Sequence, residues 1–104
     1  MRKHPNGKPY VIMYFDKDTQ KMMREEVYFS NGKLQWEGNY KNDLEDGKWV
    51  YYYDTGVVKS EQMYTKGKEN GVCLDYDAKG KLIKESHWNN GKEVKVIKHW
   101  MFYS

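Results

Sequence analysis

The sequence predicts an all-β fold: an elongated, twisted, single antiparallel sheet, a meander built from tandem β-hairpin repeats of 24 residues. Glycines recur at this spacing at Gly32, Gly56 and Gly80. The runs between them alternate apolar and polar residues, and no segment has the apolar spacing of an amphipathic helix. Four further columns keep the same spacing: Leu34/Val58/Leu82, Glu37/Glu61/Glu85, Tyr40/Tyr64/Trp88 and Tyr28/Tyr52/Tyr76/Trp100.

Residues 1–27 precede the repeats and are predicted to form an N-terminal capping hairpin. The run PYVIMYF, from Pro9 to Phe15, is rich in residues that favour strands, and DKDTQ after it has the composition of a turn. TQKMMREEV contains helix-forming residues, but its register leads into Tyr28, which favours strand for its second half. Atypical end units of this kind close repeat arrays.

Each repeat is predicted to be a hairpin of two strands. From Leu34 to Tyr40 the apolar residues hold the even positions, and KWVYYYD continues with aromatic residues suited to a pleated strand. Asn31-Gly32 and Asn90-Gly91 predict tight turns, because such turns need positive φ. The repeats are assigned to residues 28–51, 52–75 and 76–99, and residues 100–104 to the C-terminal end. Residues 1–104 then form one domain of about eight strands.

Aromatic residues must supply most of the packing. The chain has 4 Trp, 10 Tyr and 3 Phe in 104 residues, yet only 38% of its residues are hydrophobic. A single sheet builds no thick core, so rings on neighbouring strands are expected to pack on one another. The column of Glu37, Glu61 and Glu85 is predicted to lie on a wet face, with about 9.6 Å between repeats. Salt screens most of the repulsion at that separation.

Charge and hydropathy restrict the classes of partner. The net charge is +3, and basic and acidic residues are interleaved, which argues against a nucleic-acid surface. Single-stranded nucleic acid is kept only as a weaker alternative, because stacking rings and basic residues form such grooves. No apolar run approaches membrane-spanning length. MRKHPNGKPY lacks a signal-peptide core, which favours a cytoplasmic location and leaves an exported mature chain open.

The sequence predicts no catalytic residues, no cofactor and no metal site. Cys73 with a histidine is a conceivable nucleophile and base, but Cys73 falls in the column of Trp49 and is read as a packed thiol. His99, Cys73 and Asp75 form the one candidate metal group, and their spacing is poor. His87 is expected on the wet face, opposite Trp88, and His4 lies far from it in sequence. We therefore predict a protein that is not an enzyme.

The aromatic face is the predicted docking surface for a protein partner. Tryptophan and tyrosine are favoured interface anchors, although the same rings also serve the packing of the sheet. A one-layer sheet would gain by packing against a copy of itself, which predicts a homodimer. The end strands can add a partner's strand, unless Lys95 and Lys98 protect that edge. The predicted partner-binding residues are Trp36, Tyr40, Trp49, Tyr51, Tyr53, Tyr64 and Trp88.

The segment YFSNGKLQWEGNYKNDLEDGKWVYYYDTG resembles the bacterial variant of the MORN repeat, found in proteins labelled YwqK-type antitoxins. The resemblance covers residues 28–93. Two departures are notable: Asp43 replaces the first glycine of the G-x-x-x-G element, and Trp49 becomes Cys73 and Ile97 in later repeats. The matching residues are Tyr52-Tyr53, Asn31-Gly32-Lys33-Leu34, Glu37-Gly38, Tyr40 and Gly47-Lys48-Trp49, and Gly38 itself becomes Gln62 and Ser86.

The resemblance implies a twisted sheet of hairpins that serves as a protein-binding or scaffolding surface and not as a catalyst. An antitoxin-like neutralising role is one form of that function. The alternative is an exported surface protein that binds glycan or anionic lipid through aromatic and lysine residues, in which case a membrane surface would be the partner.

Overall fold

A computed structural model describes residues 2–3 and 9–99 as one open antiparallel sheet. Its extents are 48 × 35 × 13 Å, so the sheet is one layer thick. The described residues contain no helix, and the predicted all-β hairpin meander is confirmed. His4, Trp100 and the predicted C-terminal end at 100–104 lie outside the described residues. The strands are β1 Arg2–Lys3, β2 Pro9–Phe15, β3 Met22–Tyr28, β4 Leu34–Lys41, β5 Leu44–Glu45, β6 Gly47–Tyr52, β7 Val58–Thr65, β8 Lys68–Glu69, β9 Gly71–Tyr76, β10 Leu82–Asn89 and β11 Lys92–Lys98.

The strand order follows the chain: β1-β2-β3-β4-β6-β7-β9-β10-β11, with β5 beside β4 and β8 beside β7. Three of these strands, β1, β5 and β8, have only two residues. The other eight strands form the predicted meander. Every pairing among the described strands is antiparallel.

The first turn of each repeat has the same hydrogen bonds. The amide of Tyr53 donates to the carbonyl of Val57 at 2.8 Å, and that of Asp77 donates to Lys81 at 2.9 Å, 24 residues on. Gly32, Gly56 and Gly80 all have positive φ, between 88° and 96°, a conformation that costs glycine little. The glycine column therefore reflects one backbone requirement that recurs in each repeat.

The second turn of each repeat has two central residues with positive φ, as the sequence predicted at Asn90-Gly91 but not at Asn42-Asp43. Asn42 and Asp43 both have positive φ, 52° and 65°, as do Asn90 and Gly91 at 52° and 86°. Two positive φ values in succession define the type I′ turn, whose twist suits a tight hairpin. Asp43 therefore keeps the turn geometry of the glycine that it replaces. Strands β5 and β8 return from these turns as short hairpins on β4 and β7.

The 24-residue register ends at the last strand. Glu37 pairs with Val50 and Glu61 pairs with Leu74, so the period predicts Lys98 opposite Glu85, but Ile97 lies there. The cause lies in the β10–β11 hairpin. Its two strands pair on both sides of one register shift, which falls between His87 and Trp88. The alignment of Ile97 with Trp49 is therefore wrong: Val96 takes that place, opposite Ser86.

The two faces of the sheet differ in burial. We name the face that carries Trp36, Trp49 and Tyr51 the ring face, and the face that carries Glu37, Glu61 and Glu85 the ladder face. The pairing register places every buried side chain of the described residues on the ring face. The core is therefore a thin layer on that side of the sheet. Its members are Val27, Trp49, Cys73, Ser60 and Ser86.

Candidate functional site: the ring face

The centre of the ring face is a tryptophan that lies flat on a glycine. Trp49 is only 4% exposed, although it lies on one side of a single-layer sheet. A Cβ on Gly38 would lie 2.0 Å from Cδ2 of the indole, so the absent side chain of Gly38 is the space that the ring occupies. The indole Nε1 also donates a hydrogen bond to the carbonyl of Asn39 at 3.0 Å. Trp49 is therefore a structural element of this face.

Two tyrosines enclose that indole. The rings of Tyr40 and Trp49 meet edge to face, with centroids 5.2 Å apart, and Tyr64 meets the other side at 6.1 Å. Edge-to-face pairs place the positive ring edge against the negative ring face, which stabilises the arrangement beyond its buried area. Trp36 and Tyr51, on facing strands, form a second pair at 6.2 Å. Five of the seven predicted residues thus form one cluster.

The other two predicted residues lie apart from this cluster. Tyr53 follows the end of β6, and its hydroxyl donates to the carbonyl of Tyr76 at 2.8 Å, which joins one repeat to the next. Trp88 lies further along the ring face, where its Nε1 donates to the hydroxyl of Ser86 at 3.0 Å. The roles of all seven residues in binding remain predictions.

Beside the cluster, the ring face opens into an apolar cleft. Its volume is about 610 Å³, and Trp36 is the one member of the aromatic cluster that lines it. Met13 and Phe15 on its rim are 48% and 52% exposed. We name this feature the ring-face cleft; its lining residues are Tyr10, Val11, Ile12, Met13, Phe15, Glu25, Val27 and Trp36.

Sequence reasoning missed this cleft. The run PYVIMYF is predicted from the sequence only to cap the repeats, yet its residues supply most of the lining. The sequence does contain an indication of an apolar surface here, because PYVIMYF is more apolar than any repeat and has no glycine or charged residue. Glu25 was also missed. It lies opposite Gly38 on the neighbouring strand, and its Oε2 accepts a hydrogen bond from Nε1 of Trp36 at 2.9 Å.

Carboxylates surround the phenols of the cluster. Burial raises the pKa of Tyr40, and the nearby carboxylates of Glu25 and Glu45 raise it further. Burial is also the main cause of the raised pKa of Tyr64, to which Glu69 and Glu45 add. A negative charge near a phenol opposes its ionisation, so these tyrosines remain neutral donors across the physiological range.

The ladder face has a different organisation, with one charged rung per repeat. Glu37 accepts hydrogen bonds from the Arg24 guanidinium and the Tyr52 hydroxyl. In the next repeat, Lys48 Nζ lies 3.0 Å from Oε1 of Glu61, and the Tyr76 hydroxyl donates to the same carboxylate at 3.2 Å. The glutamate column was expected on a wet face, but these carboxylates are half-buried and individually paired.

The third rung replaces the cation with histidines. Val72 stands where the period would repeat Arg24 and Lys48, and it is 41% exposed. Nε2 of His99 lies 3.6 Å from Oε1 of Glu85, and Nε2 of His87 lies 4.0 Å from Oε2. These pairs carry opposite charges only when the imidazoles are protonated.

Cys73 lies in the thin core and is 5% exposed. Burial raises the pKa of its thiol, and the carboxylates of Glu69 and Asp75 add to that effect. A neutral buried thiol is a poor nucleophile and a poor metal ligand. Within the residues that the structure describes, no group of three or more His, Cys, Asp or Glu side chains is arranged to hold a metal ion.

The fold and the repeated rungs define the chain as a protein of tandem β-hairpin repeats. A family model described as MORN repeat variant matches residues 23–42, 45–66 and 69–90. The chain therefore belongs to the MORN repeat variant family. Comparisons with curated proteins and with solved structures gave no significant match.

Membership of the family gives a general indication of function. MORN repeats are associated with binding to proteins or membranes, and the family is typically non-catalytic. Across the described residues, the structure has no helix of the length and hydropathy that crossing a bilayer requires.

Proposed function

We propose that the domain is a non-enzymatic module that binds a protein partner on the ring face, with the ring-face cleft at the centre of the interface. The observation that carries this proposal is the cleft itself, about 610 Å³ of apolar space beside Trp36. Large contiguous apolar patches exposed on a protein surface mark interaction sites or ligand-binding grooves. The rigid indole and phenol rings beside it are the side chains that interfaces favour.

The architecture supports a division of roles among the rings. Trp49 is buried on Gly38 and fixes Tyr40 and Tyr64, whereas Trp36 is half-buried at the wall of the cleft. We therefore assign direct contact with the partner to Trp36 and a supporting role to Trp49. This assignment separates variants that remove contact from variants that damage the fold.

The test is affinity capture and crosslinking with a matched pair of variants. Trp36→Ala removes a ring-face aromatic, and Tyr14→Ala removes an aromatic from the ladder face, where Tyr14 is 44% exposed. Loss of an anchor tryptophan costs about 2 kcal/mol or more of binding free energy, about thirtyfold in affinity. Partner recovery should fall with Trp36→Ala alone. Equal recovery with both variants, each confirmed as folded by circular dichroism, would contradict the proposal.

An antitoxin-like role is the more specific form that we propose for this binding. In that case the captured partner is a toxin, and addition of the domain abolishes its activity. Restoration of growth in cells that express the partner, by the native domain and not by Trp36→Ala, is the expected result. A partner that is harmless when expressed alone would exclude this form and leave protein binding in place.

A further inference from the structure

The two faces of the sheet separate the charges of the chain. On strands β2 to β9, the register places no lysine or arginine on the ring face. Lys59, near the start of β7, is skipped by a register shift, and its Nζ lies 5.7 Å from the centroid of the Tyr53 ring. On β10 and β11 the register places Lys84 and Lys98 on the ring face, and Lys84 pairs with Asp75 at 3.7 Å. The basic residues on the ladder face of these strands are Arg24, Lys41, Lys48 and Lys68.

Acidic residues occupy the ring face instead. Glu25 opposes Gly38, Glu45 opposes Tyr40 and Glu69 opposes Tyr64, so all three side chains share the face of the aromatic cluster. The raised pKa values of Tyr40, Tyr51 and Tyr64 are consistent with this, since their electrostatic causes include these carboxylates and no cation. Although the net charge is +3, the ring face between β2 and β9 is aromatic and negative.

We propose that the partner presents a segment rich in lysine or arginine, and that one of its cationic side chains lies in the ring-face cleft between Trp36 and Glu25. This inference rests on the proposed docking function of the ring face. It names one chemical class of partner, a basic polypeptide segment, because the surface is apolar, aromatic and negatively charged.

The cleft matches each part of such a side chain. The aliphatic stem of lysine or arginine can lie along Val11, Met13 and Val27, while its cationic head remains at the polar rim. Tryptophan is the aromatic side chain that attracts a cation most strongly. Glu25 is held beside that indole by the 2.9 Å hydrogen bond from Nε1 and supplies the opposite charge.

The same charge distribution disfavours two other occupants. An anionic membrane would bring phosphates against Glu25, Glu45 and Glu69, and like charges repel at such a contact. A second copy that docked ring face to ring face would oppose the same carboxylates. The homodimer predicted from the sequence would therefore need a different surface, such as a sheet edge.

The test selects random twelve-residue peptides on a display library against the wild-type domain, with counter-selection on Trp36→Ala. The peptides that survive should be enriched in lysine and arginine. Their affinity should fall about threefold with Glu25→Gln, as expected for one partly exposed ion pair, and should weaken as salt is raised. Asp54→Asn, which changes an exposed carboxylate in a turn, is the matched control and should leave affinity unchanged.

The possible failures are distinguishable. Enrichment of neutral or acidic peptides that still require Trp36 would overturn the inference and leave the docking face in place. Peptides that bind Trp36→Ala as well as the wild type, or no selectable peptide at all, would count against the docking face itself. Co-flotation with vesicles of phosphatidylcholine and phosphatidylserine that Trp36→Ala abolishes would overturn the basic-segment proposal in favour of a lipid surface.

Discussion

The indole ring of Trp49 lies on the backbone of Gly38, in the space where any other residue would place its Cβ. A methyl group there would meet ring carbons at 2.0 to 2.3 Å, far inside contact distance. Gly38→Ala should therefore destabilise the domain by about 3 kcal/mol, the upper part of the range for overpacked cores. Urea denaturation followed by tryptophan fluorescence measures this change.

The chain itself offers a control for that prediction. The next repeat has Gln62 and Cys73 in place of Gly38 and Trp49, a larger residue with a smaller one. In a Trp49→Cys background, the Gly38→Ala change should cost less than half as much, because the ring that it strikes is gone. Equal costs in the two backgrounds would show that the contact is not the cause.

The first rung of the ladder face predicts acid sensitivity. Burial acts to raise the pKa of Glu37, but the hydrogen bonds from Tyr52 and Arg24 outweigh it and hold the pKa below the ordinary value of 4.5. The unfolded chain therefore takes up this proton first as the pH falls. The rung contributes its full stability above about pH 4.5 and loses it as the pH falls through the folded pKa.

Glu37→Gln should thus cost about 2 kcal/mol at neutral pH, as for hydrogen bonds to a charged group, and much less below the folded pKa. Denaturant titrations at several pH values give the comparison, with Asp54→Asn as the control. A constant difference between Glu37→Gln and the wild type at every pH would contradict the assignment.

The same rung predicts alkaline sensitivity. Burial, followed by the hydrogen bond to Glu37, raises the pKa of Tyr52 to about 12 from 10.0. The unfolded state then loses the phenolic proton first, so stability is complete below pH 10 and declines as the pH rises towards 12. Tyr52→Phe should show a shallower decline over that interval. If the two proteins lose stability in parallel, Tyr52 is not a linked group.

The thiol of Cys73 is predicted to be unreactive while the domain is folded. It is 5% exposed, and burial raises its pKa, so both access and ionisation oppose its reaction with a disulfide reagent. Labelling by dithionitrobenzoate should be slow in buffer and complete within the mixing time in strong denaturant. Fast labelling of the native protein would place the thiol on an open surface.

Much of the fold could be predicted because the sequence repeats its requirements. The turns at Gly32, Gly56 and Gly80 need positive φ, and the alternation from Trp36 to Tyr40 needs a pleated strand. The expectation that Leu34 shares the face of Trp36 was wrong, because the register shifts between them and Leu34 pairs with Tyr28. The short strands β5 and β8 were not predicted, because two residues are too few to show an alternation of apolar and polar residues. The register change at Ile97 was not predicted for another reason. It depends on how the final hairpin is closed and not on the side chains of that hairpin.

The site was harder to predict than the fold. Strand alternation indicates which face of the sheet a ring occupies, but not whether the ring is buried. It therefore did not distinguish Trp36 from Trp49. Their difference depends on Gly38 in the neighbouring strand, which only the pairing register brings beneath Trp49. The ladder rungs depend likewise on Arg24 and Lys48, which lie 24 residues apart outside the aromatic columns.

We propose that the ring face, and not the ladder face, is the docking surface. Hydroxyl-radical footprinting of the domain with and without its captured partner tests it in one experiment, because each face carries oxidisable rings that report separately. Trp36 and Met13 should lose labelling on binding, while Tyr14 and Tyr76 should keep theirs. Protection of Tyr14 and Tyr76, with Trp36 and Met13 unchanged, would contradict it.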